Sequence, residues 1–188
     1  GGLMEPTAGE QVFRGMMDTI EYHPAGVEPR RVLCFSPHPD DDVISMGGTL
    51  IRLIEDRHEV HVAYMTSGNI AVFDHDARQV ADLLTELNRQ FGIDDEKSTR
   101  LETEVGYAIQ SKQAGEPDSQ SVRKIKTAIR WSEAKSAGEV CGIAEDRLHF
   151  LDLPFYQTGT IDKKPPTEED IRLVRELIER LKPTQLYV

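Results

Sequence analysis

The feature that most constrains this chain is an apolar run that stops abruptly at an acidic loop. Arg31-Val32-Leu33-Cys34-Phe35 reads as a buried strand, and Ser36-Pro37-His38-Pro39-Asp40-Asp41-Asp42 as a polar loop. Leu50, Ile51, Leu53 and Ile54 then recur at helical spacing. A strand that feeds a helix through a short loop is the first half of a βαβ unit. In open α/β sheets, ligands bind beyond the carboxyl ends of the strands, so the loop falls where chemistry is done.

His38 and Asp41 supply an imidazole and a carboxylate, the nitrogen and oxygen donors that a catalytic zinc accepts. Pro37 and Pro39 fix φ on either side of the histidine and limit how far the donors can wander. Asp40 lies between the two donors and should project differently. That suits a general base acting on water next to the metal. A plainer reading exists for such a run of acids, because carboxylates in a first helical turn offset the helix dipole, and Asp42 fits that role.

Followed by Gly47-Gly48-Thr49-Leu50, this loop resembles the signature of the LmbE/PIG-L family of zinc-dependent N-acetylglucosaminyl deacetylases. There the loop usually reads AHPDDE. The resemblance implies that His38 and Asp41 are zinc ligands and Asp40 the catalytic base. Asp42 stands where the family carries Glu, which places a shorter carboxylate there. Arg130-Trp131-Ser132-Glu133 resembles the family's R-x-x-E helix, whose arginine reaches the substrate pocket. Such an i,i+3 pair is equally an ordinary surface ion pair, contributing roughly 0.2–0.5 kcal/mol. Thr66-Ser67-Gly68-Asn69 occupies the position of the family's T-x-G segment near substrate, or is a simple turn. The family's third zinc ligand is a histidine after the strand that begins here at Leu186. None of His23, His58, His61, His75 and His149 matches it. Catalytic zinc ordinarily has three protein ligands, so the resemblance implies a weak or empty metal site and an inactive fragment of a larger deacetylase.

Length allows one domain with a substantial core: the chain has 188 residues. Lys+Arg number 22 against 33 Asp+Glu, a net charge of -11, and no basic stretch could track a phosphate backbone, which argues against nucleic acid. Cys34 and Cys141 lack metal-site or redox-motif spacing, and Cys34 reads as a small core residue. No apolar stretch reaches the length of a membrane span and no leader pattern opens the chain, so a cytoplasmic location is expected.

The alternation of strands and helices predicts a Rossmann-like three-layer α/β/α fold with a mostly parallel sheet. Residues 1–30 read as an arm or linker containing an amphipathic helix from Glu10 to Ile20. Residues 31–188 read as the LmbE/PIG-L-like domain, with a helical insertion over about 70–126. A second strand is expected at Val60–Met65, with Val60, Val62 and Tyr64 on one face. Asp76–Phe91 carries Val80, Leu83, Leu84 and Leu87 on one stripe, and a further helix should span Glu96–Gln110. His75 between Asp74 and Asp76 reads as a solvated helix start. Ser121–Val140 should be a helix with Val122, Ile125, Ala128, Ile129 and Ala137 inward. A strand over Arg147–Leu153, a helix opened by Thr167 and a strand from Gln185 complete the pattern.

By the resemblance, the parent activity is metal-dependent removal of an acetyl group from a glucosamine-type conjugate, with an amino sugar as substrate and Arg130 on its hydroxyls or phosphate. Two rivals stand beside it. The chain could be part of a protein joined to a glucosamine-6-phosphate deaminase-like domain that holds the activity, or a non-catalytic sugar-binding or oligomerisation module. A homo-oligomer and a covalently linked upstream domain both remain open.

Overall fold

Strands β1 (Arg31–Ser36), β2 (Glu59–Tyr64), β3 (Leu148–Phe150) and β4 (Gln185–Tyr187) pair in the order β3-β2-β1-β4 in a computed structural model, which describes residues 7–17, 28–157 and 162–188. Every pairing is parallel. The chain builds outward from β1 to β3, then returns to place β4 on the far side of β1. The order therefore reverses beside β1, and the acidic loop leaves the sheet at that switch point.

The parallel connections are helical. Helix α1 (Ala8–Met17) precedes the sheet, α2 (Asp41–Glu55) joins β1 to β2, and α6 (Glu168–Leu181) joins β3 to β4. Between β2 and β3 run α3 (Asp74–Gln90), α4 (Glu96–Ser111) and α5 (Gln120–Val140). Alternation along the strands builds two cores. Val32, Cys34, Val60, Val62 and Tyr64 pack with Leu50 and Leu53 of α2 and Ala134 of α5. On the opposite face Leu33 and Ala63 pack with Leu177 of α6. These are the three layers expected from the sequence. A third cluster, of Ala77, Ala81, Val105, Val122 and Ile125, joins α3 and α4 to α5.

Several elements differ from expectation in instructive ways. The β3 strand is shorter than Arg147–Leu153. Leu151 and Leu153 still donate backbone bonds to Tyr64 and Met65, but Asp152 adopts φ 47 and turns the chain out of the sheet. Val80, Leu83, Leu84 and Leu87 are exposed, while the inward face of α3 is made of Ala77, Ala81 and Thr85. Small residues let α3 approach its neighbours closely. Ala128 of α5 is likewise exposed, and Ala134 and Gly138 are buried instead. The expected N-terminal helix is present over Ala8–Met17, whereas Ile20 and His23 lie outside the described residues. No helix among the described residues is long and apolar enough to cross a membrane.

Candidate active site

The loop after β1 is anchored from below by a buried carboxylate. Asp42 is 3% exposed and receives the Tyr64 hydroxyl at 3.0 Å, while its backbone N–H donates to Ser36 Oγ at 3.0 Å. Ser36 Oγ also stands 2.6 Å from the His38 carbonyl and 3.1 Å from Asp42 Oδ1. Burial pushes the Asp42 carboxyl above its ordinary range, against the pull of the Tyr64 and Ser36 hydrogen bonds. Asp42 therefore does more than face a helix dipole: it ties the loop to both β1 and β2.

Above that anchor, the chemistry-bearing residues converge. His38 Nδ1 lies 3.0 Å from Asp41 Oδ2, and the His38 backbone N–H donates to the same oxygen at 3.0 Å. Both side chains are close to half-exposed, so the pair opens to solvent at the mouth of the sheet. Two donors sharing a tetrahedral zinc at ordinary bond lengths stand roughly 3.4 Å apart, so this spacing needs only a small adjustment to receive a cation. The donor types fit zinc, but their number falls short: among the described residues no three His, Cys, Asp or Glu gather to hold a metal. The pair offers two donors towards a site that ordinarily has three.

Asp40 is engaged from α5. Its carboxylate meets Arg130 Nη2 of α5 at 2.8 Å, and Arg130 Nη1 meets Glu133 at 2.5 Å. The R-x-x-E pair is thus formed, and its arginine bridges the helix to the loop. Arg130 Nε is buried with no hydrogen-bond partner among the described residues. Gly68 explains how the arginine comes so close. At φ +65, a Cβ there would fall 2.8 Å from Pro39 Cδ and 3.3 Å from Arg130 Nε. The Thr66 hydroxyl holds the other proline's backbone, donating to the Pro37 carbonyl at 2.8 Å. Tyr156 stands edge-on to His38 with ring centroids 5.9 Å apart, and burial pushes its phenol up.

Beside this group a cavity of about 480 Å³ is lined by Arg123, Thr127 and Trp131 of α5 and by Asp152 and Gln157 of the β3–α6 loop. The Gln157 amide reaches Ser67 Oγ at 3.0 Å and also contacts Asp152, which joins the cavity wall to the Gly68 turn. Burial raises the Asp152 carboxyl while neighbouring Arg123 lowers it. Tyr64 and Tyr156 were not read from the sequence as partners of the loop, whereas Gly68 belongs to the Thr66-Ser67-Gly68-Asn69 segment that the resemblance places near substrate. The two tyrosines gave no signal of their own, since Tyr64 reads as an ordinary strand residue and Tyr156 as part of the loop after β3.

His58, His61 and His149 make their contacts apart from this centre. His61 and His149 bond each other at 3.0 Å on neighbouring strands, and His61 Nε2 reaches Glu59 at 3.1 Å. His58 Nδ1 accepts the Arg30 backbone N–H at 3.0 Å.

A parallel sheet with a proline-stiffened His/Asp pair at its switch point, backed by a third carboxylate held by arginine, defines a Rossmann-like α/β protein with a candidate hydrolytic centre. The family model described as PIG-L, GlcNAc-PI de-N-acetylase, matches residues 33–188, and the chain belongs to that family. It is also 46% identical over 172 residues to a putative glucosamine-6-phosphate deaminase-like protein of Bacteroides thetaiotaomicron. That match covers 91% of this chain and 26% of the relative, so the chain spans about a quarter of that protein's length.

Proposed function

We propose that this chain carries most of the catalytic face of a metal-dependent hydrolase that removes the acetyl group from an N-acetylglucosamine-type conjugate. The observation that carries the reading is the convergence of His38 and Asp41 to 3.0 Å at the end of β1, with Asp40 fixed beside them by Arg130. His38 and Asp41 are the residues that would hold zinc, with a third donor from outside the described residues. Such an ion supplies Lewis acidity that polarises an amide carbonyl and acidifies water.

The chain's own residues supply the rest. Asp40 accepts the proton of the attacking water and returns it to the departing amine, while Arg130 keeps its carboxylate aimed across the loop. Asp42 and Ser36 hold the loop in register with β2, so that His38 and Asp41 stay convergent. The cavity between α5 and the β3–α6 loop takes the sugar, with Asp152, Gln157 and Arg123 available to its hydroxyls. Two buried free cysteines agree with a reducing, cytoplasmic setting.

A second reading follows from the length of the relative. If the longer protein's activity is the deamination its name mentions, it resides in a part this chain does not cover. Incubating the whole parent protein with N-acetylglucosamine conjugates and with glucosamine 6-phosphate separates the two. Acetate release that falls about 10²–10⁴-fold in Asp40→Asn supports the deacetylase. Ammonia release indifferent to that substitution supports the second reading, and neither product leaves a binding module.

A further inference from the structure

Helix α3 has two unlike faces. Ala77, Ala81 and Thr85 are at most 2% exposed against α4 and α5, while Val80, Leu83, Leu84 and Leu87 are 38–54% exposed and Phe91 is 74% exposed. Phe73 and Ile93 extend the apolar surface at the two ends. Residues 80, 84, 87 and 91 recur at the four-three-four spacing of a coiled-coil seam. The exposed area of these seven side chains is on the order of 700 Å², beyond the few hundred that a monomer ordinarily leaves in one patch. It approaches the roughly 800 Å² that each partner contributes to a stable complex of standard size.

We infer that this stripe is a homodimer interface, in which α3 packs antiparallel against α3 of a second copy about a two-fold axis near Leu84. Self-complementarity favours a copy of this chain over another partner. An antiparallel register centred on Leu84 places that residue next to its own counterpart and Val80 of each copy level with residue 88 of the other, within one residue of Leu87, so that apolar side chains meet along the middle of the seam. Charge points the same way. The chain carries -11 overall, yet Val80, Leu83, Leu84, Leu87 and Phe91 form an uncharged strip where two such molecules can approach. In that antiparallel register Asp76 comes level with the uncharged Gly92, whereas a parallel one would oppose Asp76 to Asp76. Glu86 on the rim is already paired with Arg89 at 2.8 Å, which leaves little net charge there. Opposed helix dipoles also favour the antiparallel pair.

Sedimentation velocity on the chain tests this. At about 100 µM the wild type should sediment at twice the 21.2 kDa chain mass. The double variant Leu84→Glu, Leu87→Glu should sediment as a monomer with an unchanged circular dichroism spectrum, because the inward face of α3 is untouched. Should that variant fail to fold, Leu84→Cys decides: mild oxidation should cross-link it into a dimer, whereas the wild type, with Cys34 and Cys141 buried, should give none. A monomeric wild type, a folded double variant that still dimerises, or a Leu84→Cys chain that does not cross-link would each overturn the inference.

Discussion

Asp42 is the residue through which the acidic loop is held to the sheet, and its environment predicts how substitutions there behave. Replacing it by alanine leaves the buried Tyr64 hydroxyl without its acceptor and frees Ser36, which should lower stability by about 1–3 kcal/mol in urea unfolding. Asp42→Asn keeps an acceptor and a donor in the same place and removes a buried carboxylate, so it should stay within about 1 kcal/mol of wild type at neutral pH. Gly68 makes the complementary case. Gly68→Ala adds a methyl that meets Pro39 at a left-handed φ, and should cost about 1–2 kcal/mol by thermal unfolding. It should also reduce turnover, because the same methyl presses on Arg130, the support of Asp40.

At the scale of elements, the start of α3, the α4–α5 connection and α5 are tied together by a partly buried ion network. Lys126 of α5 and Lys112 after α4 each bridge Asp74 and Asp118, with all four contacts at 2.6–2.7 Å and the Lys126 side chain only 5% exposed. Asp118→Ala should destabilise the chain by about 2–4 kcal/mol, since a buried ammonium loses a partner. Amide exchange should show α3 and α4 losing protection before β1 and β2. The β2 and β3 strands carry a different sensitivity. Burial, then His61 and Arg180, push His149 down to about 4, with Asp146 opposing. The unfolded chain therefore binds the extra proton first as pH falls. The pair's contribution is complete above about pH 6.5 and is lost as the pH drops to about 4, at a cost of about 1–2 kcal/mol after allowance for solvent screening. His149→Gln should remove that component from the pH dependence of urea unfolding.

These same elements show what could be read in the chain. The β1–loop–α2 unit was legible because an apolar run, two prolines and a helical repeat agree locally, and β2 followed from its alternation. The α3 stripe gave the position of the helix but not its orientation. Leucines carry the periodic signal, yet the tight contacts with α4 and α5 are made by Ala77, Ala81 and Thr85, whose hydrophobic signal is weak. His38, Asp40 and Asp41 were identifiable from their loop. The Arg130–Asp40 bridge was not, because it joins residues 90 positions apart through a fold that no local pattern reports.

For the whole molecule, the switch point of a parallel sheet and the acidic loop are one construction: the order β3-β2-β1-β4 opens a crevice beside β1, and the loop fills its rim with donors. The α3 seam lies on the face of the helix opposite its packing against α4 and α5. Pairing through it would therefore leave the crevice free. The central claim is that His38 and Asp41 are two donors to one divalent cation. Calorimetric titration of zinc into the metal-free protein tests it most directly. One zinc per chain should bind the wild type and Asp40→Asn alike, with affinity falling at least about 10–100-fold in His38→Ala and in Asp41→Ala. Unchanged zinc binding in both alanine variants would contradict the account.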